Sequence, residues 1–179
     1  MWDYSNARAG AGFRTAGRAA RRPRPSLAIL VAGMSLAGAA CGSRSDTRQP
    51  VREFMAAVAH DVTTEGPAAW KKHFADDPGF FMAADGQLQF ADNRAAAQGI
   101  EGLTHMIRQI QLQWGDDLRV DPVAADVAVV GCSWHEVRVI ADGSRIEDHG
   151  YFTGTAEYRH GRWQFRNVHW SAALAADHQ

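Results

Sequence analysis

The last third of the chain narrows the fold most. Residues Val127–Ile140, Arg145–Arg159 and Arg162–Ala172 read as long strands, and the breaks between them centre on Asp142-Gly143 and His160-Gly161. Alternating runs of this length, split by two-residue turn signals, predict an antiparallel meander. A sheet like this must bury one face, and the chain ahead of it has to supply the cover.

The turns set which face is buried. A two-residue turn at Asp142-Gly143 puts Val137 opposite Asp148, and one at His160-Gly161 puts Tyr158 opposite Trp163. Because side chains alternate, one face collects Val127, Val129, Gly131, Ser133, His135, Val137 and Val139. It continues through Ile146, Asp148, Gly150, Phe152, Gly154, Ala156 and Tyr158 to Trp163, Phe165, Asn167 and His169. That face is assigned to the helix-covered side: its apolar end is core, and its polar end is a candidate pocket. The other face carries Trp134, Glu136, Arg138, Glu147, His149, Tyr151, Glu157, Gln164, Arg166 and Trp170. There Trp134, Tyr151 and Trp170 cluster among charges and read as the surface of a homodimer. Glycines 131, 150 and 154 would let the sheet curve, and a single bulge would exchange the faces beyond it.

Upstream, Val51, Phe54, Met55, Val58 and Val62 recur at helical spacing, predicting a helix over 47–62. Pro67, Trp70 and Phe74 mark a short second helix. Two short apolar runs around Asp85-Gly86 predict a hairpin over 80–90. Ile100, Leu103, Ile107, Ile110 and Trp114 form a third helical stripe, followed by a strand over 118–123. Helices gathered on one face of an antiparallel sheet make an α+β fold.

Charge divides the chain. Its net −1 is the sum of a leader, residues 1–40, with six arginines and one acid, and a body with 13 basic and 19 acidic residues. Residues 26–40 are uncharged, mostly apolar and end in small residues, the pattern of a signal peptide and too short for a membrane span. Cys41 follows Leu36-Ala37-Gly38-Ala39-Ala40, which resembles a bacterial lipobox with Gly38 where Leu is usual. Lipidation of Cys41 would anchor the protein in the cell envelope. Gly38 and Ala40 also suit ordinary signal peptidase, which would leave it periplasmic or secreted. The expected organisation is a signal peptide (1–40), a tether from lipidated Cys41 (41–50), one domain (51–174) and a short tail (175–179). Two cysteines exclude a disulfide scaffold or a Cys-rich zinc module, and Cys132 reads as a buried strand residue. An acidic body excludes nucleic acid as a partner and leaves membrane contact to the lipid on Cys41 alone.

Gly161-Arg162-Trp163-Gln164-Phe165, running into His169-Trp170-Ser171, resembles the terminal strand of the SnoaL-like branch of the nuclear transport factor 2-like superfamily. Gly150-Tyr151-Phe152-Thr153 and Ala125-Asp126-Val127-Ala128-Val129-Val130 resemble the two strands before it, and the likeness spans about residues 47–174. It implies a cystatin-like α+β roll: a cone-shaped curved sheet wrapped around three N-terminal helices, with a pocket at the open end. The superfamily holds ketosteroid isomerase-like enzymes, cyclases, binding domains and associating domains, so the fold does not decide the activity.

Three functions compete. The first is binding of a small apolar or aromatic molecule, with Trp70, Phe81 and Phe165 as walls and Ser133, His135, Asn167 and His169 orienting it. The second is an isomerase-, cyclase- or hydratase-like acid–base enzyme in which His135 or His169, tuned by Asp148, moves a proton. The isomerase-like members use a carboxylate base and a tyrosine, and the first helix here has no tyrosine. The third is a homodimeric interaction module. No cofactor is implied. No metal site is expected either, since His135, His149 and His169 fall on different faces or distant strands.

Overall fold

The computed structural model describes residues 46–173. The leader, Cys41, the start of the tether and the tail lie outside the described residues.

Helix α1, Arg48–Glu65, buries Val51, Phe54, Met55, Val58 and Val62, the stripe read from the sequence. It stops at Gly66, whose φ of 80° suits a residue without a Cβ and whose N–H donates to Val62 O at 3.0 Å. A 3-10 turn, Pro67–Ala69, leads into the one-turn helix α2, Trp70–His73. His73 Nε2 lies 3.1 Å from Asp61 Oδ2 and ties α2 to α1. Strands β1, Phe81–Ala84, and β2, Gln87–Phe90, form the hairpin at Asp85-Gly86, both at positive φ. Asp92 caps helix α3, Asn93–Met106, accepting from Ala95 N–H at 2.7 Å.

The third helical stripe ends early. Ile107, Ile110 and Trp114 belong to strand β3, Ile107–Trp114, not to a helix. Ile110, Leu112 and Trp114 alternate with Gln109, Gln111 and Gln113, a period-2 pattern that coincides with helical spacing over these few residues. Strands β4, Arg119–Ala124, β5, Val127–Ile140, β6, Arg145–Arg159, and β7, Arg162–Ala172, complete a curved seven-stranded sheet in the order β2-β1-β7-β6-β5-β3, with β4 pairing β5. The sheet is open and mixed rather than wholly antiparallel, because β1 runs parallel to β7.

Curvature arises where glycine admits a neighbouring strand. A Cβ on Gly150 would stand 1.8 Å from the backbone oxygen of Ser171, and one on Gly154 would stand 3.0 Å from that of Asn167. The core lies between α1 and the inner sheet face, where Phe165 meets Phe54 at 4.8 Å and Phe152 at 5.3 Å between ring centroids.

Two local features change the faces expected from the turns. The β5–β6 loop has three residues, Ala141-Asp142-Gly143. Gly143 N–H donates to Ile140 O at 2.9 Å, and Ile140 N–H donates to Ser144 O at 3.0 Å. Gly143, at φ 92°, is the left-handed third residue that such a loop requires. His135 therefore pairs with His149, and Glu136 with Asp148. The His160-Gly161 turn has the expected two residues, with both at positive φ. A bulge then leaves Arg166 as an extra residue in β7, so Ala156 pairs with Phe165 but Thr155 with Asn167 and Phe152 with Trp170. Together these turn the even-numbered residues of β5 inward and, beyond the bulge, Val168 and Trp170 of β7.

Candidate functional site

The inner side of β5 runs from core to charge along one strand: Ala128, Val130, Cys132, Trp134, Glu136 and Arg138 are all buried. Burial pushes the Cys132 thiol up to about 12, so it stays a protonated, inert packing group.

Past Cys132 comes an aromatic layer. The Trp134 ring meets Trp170 edge-on, with centroids 5.2 Å apart. Trp170 also stacks on Trp114 at 5.7 Å, meets Phe152 at 4.8 Å and takes Trp70 edge-on at 5.6 Å. Five aromatic side chains from α2, β3, β5, β6 and β7 thus converge on one point of the inner face. Trp114 is fixed by its Nε1–H, which donates to Met55 O at 2.8 Å. Trp134 Nε1 is buried and has no hydrogen-bond partner among the described residues.

Next to this layer lies a charged cluster. Arg138 Nη2 donates to Asp148 Oδ2, and Arg138 Nε lies 3.0 Å from Glu136 Oε1. The second contact is a close ion pair without hydrogen-bond geometry, so Glu136 Oε1 accepts no hydrogen bond among the described residues. Opposite Glu136 and Arg138, β3 presents buried Leu112 and Ile110. Desolvation here pushes the Glu136 carboxyl up to about 7; Arg138 opposes the shift and Asp148 adds to it. Such a carboxyl changes charge near neutral pH.

Of the site residues read from the sequence, the structure turns Trp70, Phe165 and Asp148 inward. Phe81, paired with Asn167, is 44 % exposed on the outer side. Ser133 also faces out, with its backbone N–H and its hydroxyl both donating to Asp117, at 2.9 and 2.8 Å. His135, half-exposed, lies 2.8 Å from Glu147 Oε1 on that outer face. His169 is exposed opposite Thr153. Asp148 is thus on the other side of the sheet from both histidines it was expected to tune. The expected outer trio also divides: Tyr151 is outside, whereas Trp134 and Trp170 are inside. Among the described residues no group of three His, Cys, Asp or Glu side chains is placed to hold a metal ion.

The register hid Trp134, Glu136, Arg138 and Trp170. Both rows of β5 are apolar in their first half, so the strand alone does not choose its inner face. Asp142-Gly143 fits a two-residue loop and the end of a three-residue loop equally well. Trp114 was visible, but as part of a helix.

No protein-family model matches the sequence, and no curated protein matches it. Solved structures do match in shape. A nuclear transport factor 2-like superfamily protein from Salmonella enterica aligns with a TM-score of 0.62 at 15% identity, covering 74% of this chain and 94% of that one. A hexachlorocyclohexane dehydrochlorinase aligns at 0.56 and 16% identity, covering 74% and 92%. An uncharacterised protein with a cystatin-like fold from Caulobacter vibrioides aligns at 0.56 and 15% identity, covering 72% and 90%. At such identities the likeness is one of fold. The chain has the nuclear transport factor 2-like, cystatin-like α+β fold that the terminal strands implied.

Proposed function

We propose that this chain is an exported domain, held to the cell envelope by lipid on Cys41, that binds a small apolar or aromatic molecule on the inner face of its cone. One observation carries the binding reading: Trp70, Trp114, Trp134, Phe152 and Trp170 meet beside buried Glu136 and Arg138, which part-buried Asp148 joins. Small-molecule sites are built this way, with an apolar wall and a few placed polar groups. Equilibrium dialysis of the purified chain against naphthalene tests it. Saturable uptake of one molecule per chain, lost in Trp170→Ala, is expected; no uptake, or uptake unchanged by the substitution, would refute the reading.

The anchoring rests on the leader and on Cys41. Globomycin, which blocks lipoprotein signal processing, should leave an unprocessed precursor, and normal processing in its presence would remove the lipid anchor from the account.

A second reading, an acid–base enzyme, draws on Glu136, whose carboxyl titrates near 7 inside an apolar wall. In it Glu136 takes the place that His135 and His169 held in the sequence reading. Glu136→Gln should then abolish whatever turnover the protein has while leaving naphthalene uptake intact. Unchanged turnover would end this reading.

A further inference from the structure

Two buried polar atoms on the inner face of β5 make no hydrogen bond among the described residues. Trp134 Nε1, on a residue only 5% exposed, has a proton and no acceptor among the described residues. Glu136 Oε1, on a residue 3% exposed, accepts no hydrogen bond there. A buried donor without a partner is unfavourable, and an indole N–H can only donate. The two residues are i and i+2 on one strand, so their backbones lie about 6–7 Å apart on the same face. A single oxygen making one hydrogen bond to each side spans about 5–6 Å.

We infer that the ligand of this cone carries a neutral hydroxyl on a flat apolar frame, with its oxygen accepting from Trp134 Nε1 and its hydrogen donated to Glu136 Oε1. This rests on the binding reading above and names the chemical class that the site takes. A hydroxyl is the smallest group that accepts and donates at one atom. An ammonium would satisfy Glu136 but leave the indole proton unpaired. A carbonyl would satisfy the indole but offer nothing to an ionised Glu136. A carboxylate would need a free cation, and Arg138 is already faced by two acids, Glu136 and Asp148. The frame would lie against Trp134 and Trp170, while Asp148, whose side chain keeps 21% of its surface exposed, marks the side on which the cluster meets solvent.

Dissociation constants measured by equilibrium dialysis for naphthalene, 2-naphthol, 2-methoxynaphthalene and 2-naphthoate, on the full chain and its Trp134→Phe variant, test this. 2-Naphthol should bind about tenfold more tightly than naphthalene, the ratio expected of one well-placed hydrogen-bonding group. Trp134→Phe keeps an aromatic ring but no indole N–H, and should bring that ratio close to one. 2-Methoxynaphthalene, which has the oxygen without its proton, should lose the advantage of 2-naphthol. Equal binding of naphthalene and 2-naphthol, or a ratio that survives Trp134→Phe, overturns the inference and leaves the binding reading standing. So does 2-methoxynaphthalene matching 2-naphthol, or 2-naphthoate exceeding it. Failure of all four probes to bind overturns the binding reading itself.

Discussion

Glu136 concentrates the chemistry of this protein in one side chain. Buried beside Arg138 and Asp148, its carboxyl is pushed from 4.5 up to about 7. The folded state therefore holds this proton more tightly than the unfolded chain does. The stabilisation is fully present below pH 4.5 and is lost as the pH rises through 7, in all about 3 kcal/mol by linkage. His73 acts in the opposite sense: desolvation lowers its pKa, so its contribution to stability is lost as the pH falls. In Glu136→Gln the His73 effect remains and the Glu136 effect is gone. Urea unfolding at pH 5 and pH 8 should show the wild type losing roughly 2–3 kcal/mol more than the variant between the two; equal losses would mean that Glu136 is not desolvated. This residue was not legible as special in the sequence. In Trp134-His135-Glu136-Val137-Arg138 the eye goes to the imidazole, the commonest acid–base group. Only the pairing of β5 with β6 shows that His135 meets Glu147 outside while Glu136 faces Asp148 inside.

At the scale of elements, local chemistry was legible wherever a residue type has one backbone use. Asp85-Gly86 and His160-Gly161 made the turns read for them. It failed where one pattern serves two geometries. Ile107, Ile110 and Trp114 satisfy helical spacing and strand alternation together, and the sheet's need for a partner along β5 decided for the strand. Asp142-Gly143 ends a three-residue loop as readily as it forms a two-residue one, and that single residue of register exchanged the faces of β5. The bulge at Arg166 did the same to β7. Of the three glycines read as bend points, Gly150 and Gly154 leave a Cβ no room beside β7, whereas at Gly131 a Cβ would meet nothing closer than 3.4 Å. Because Gly150 receives the backbone of Ser171, Gly150→Ala must separate β6 from β7 or distort one of them. It should cost about 1–3 kcal/mol in chemical denaturation. A cost near zero would show that β7 does not close over β6 there.

For the whole molecule, the order of elements was enough to give the α+β class, because helices placed ahead of a meander have one sheet face to cover. What the element order could not give was the content of the cone, since that depends on one loop length and one bulge. With both in place, aromatic rings from five separate elements gather inside, next to buried Glu136 and Arg138 and part-buried Asp148. The function proposed here is that this interior receives a flat apolar molecule. The chain has six tryptophans, each with one indole N–H signal in a ¹⁵N–¹H spectrum, assigned by single Trp→Phe substitutions. Trp70, Trp114, Trp134 and Trp170 belong to the inner cluster, whereas Trp163 lies at the β6–β7 turn against Tyr158. Titration with naphthalene should move the signals of Trp134 and Trp170 saturably and leave that of Trp163 in place. Unmoved inner signals at saturating naphthalene, or shifts of Trp163 equal to theirs, would contradict the account.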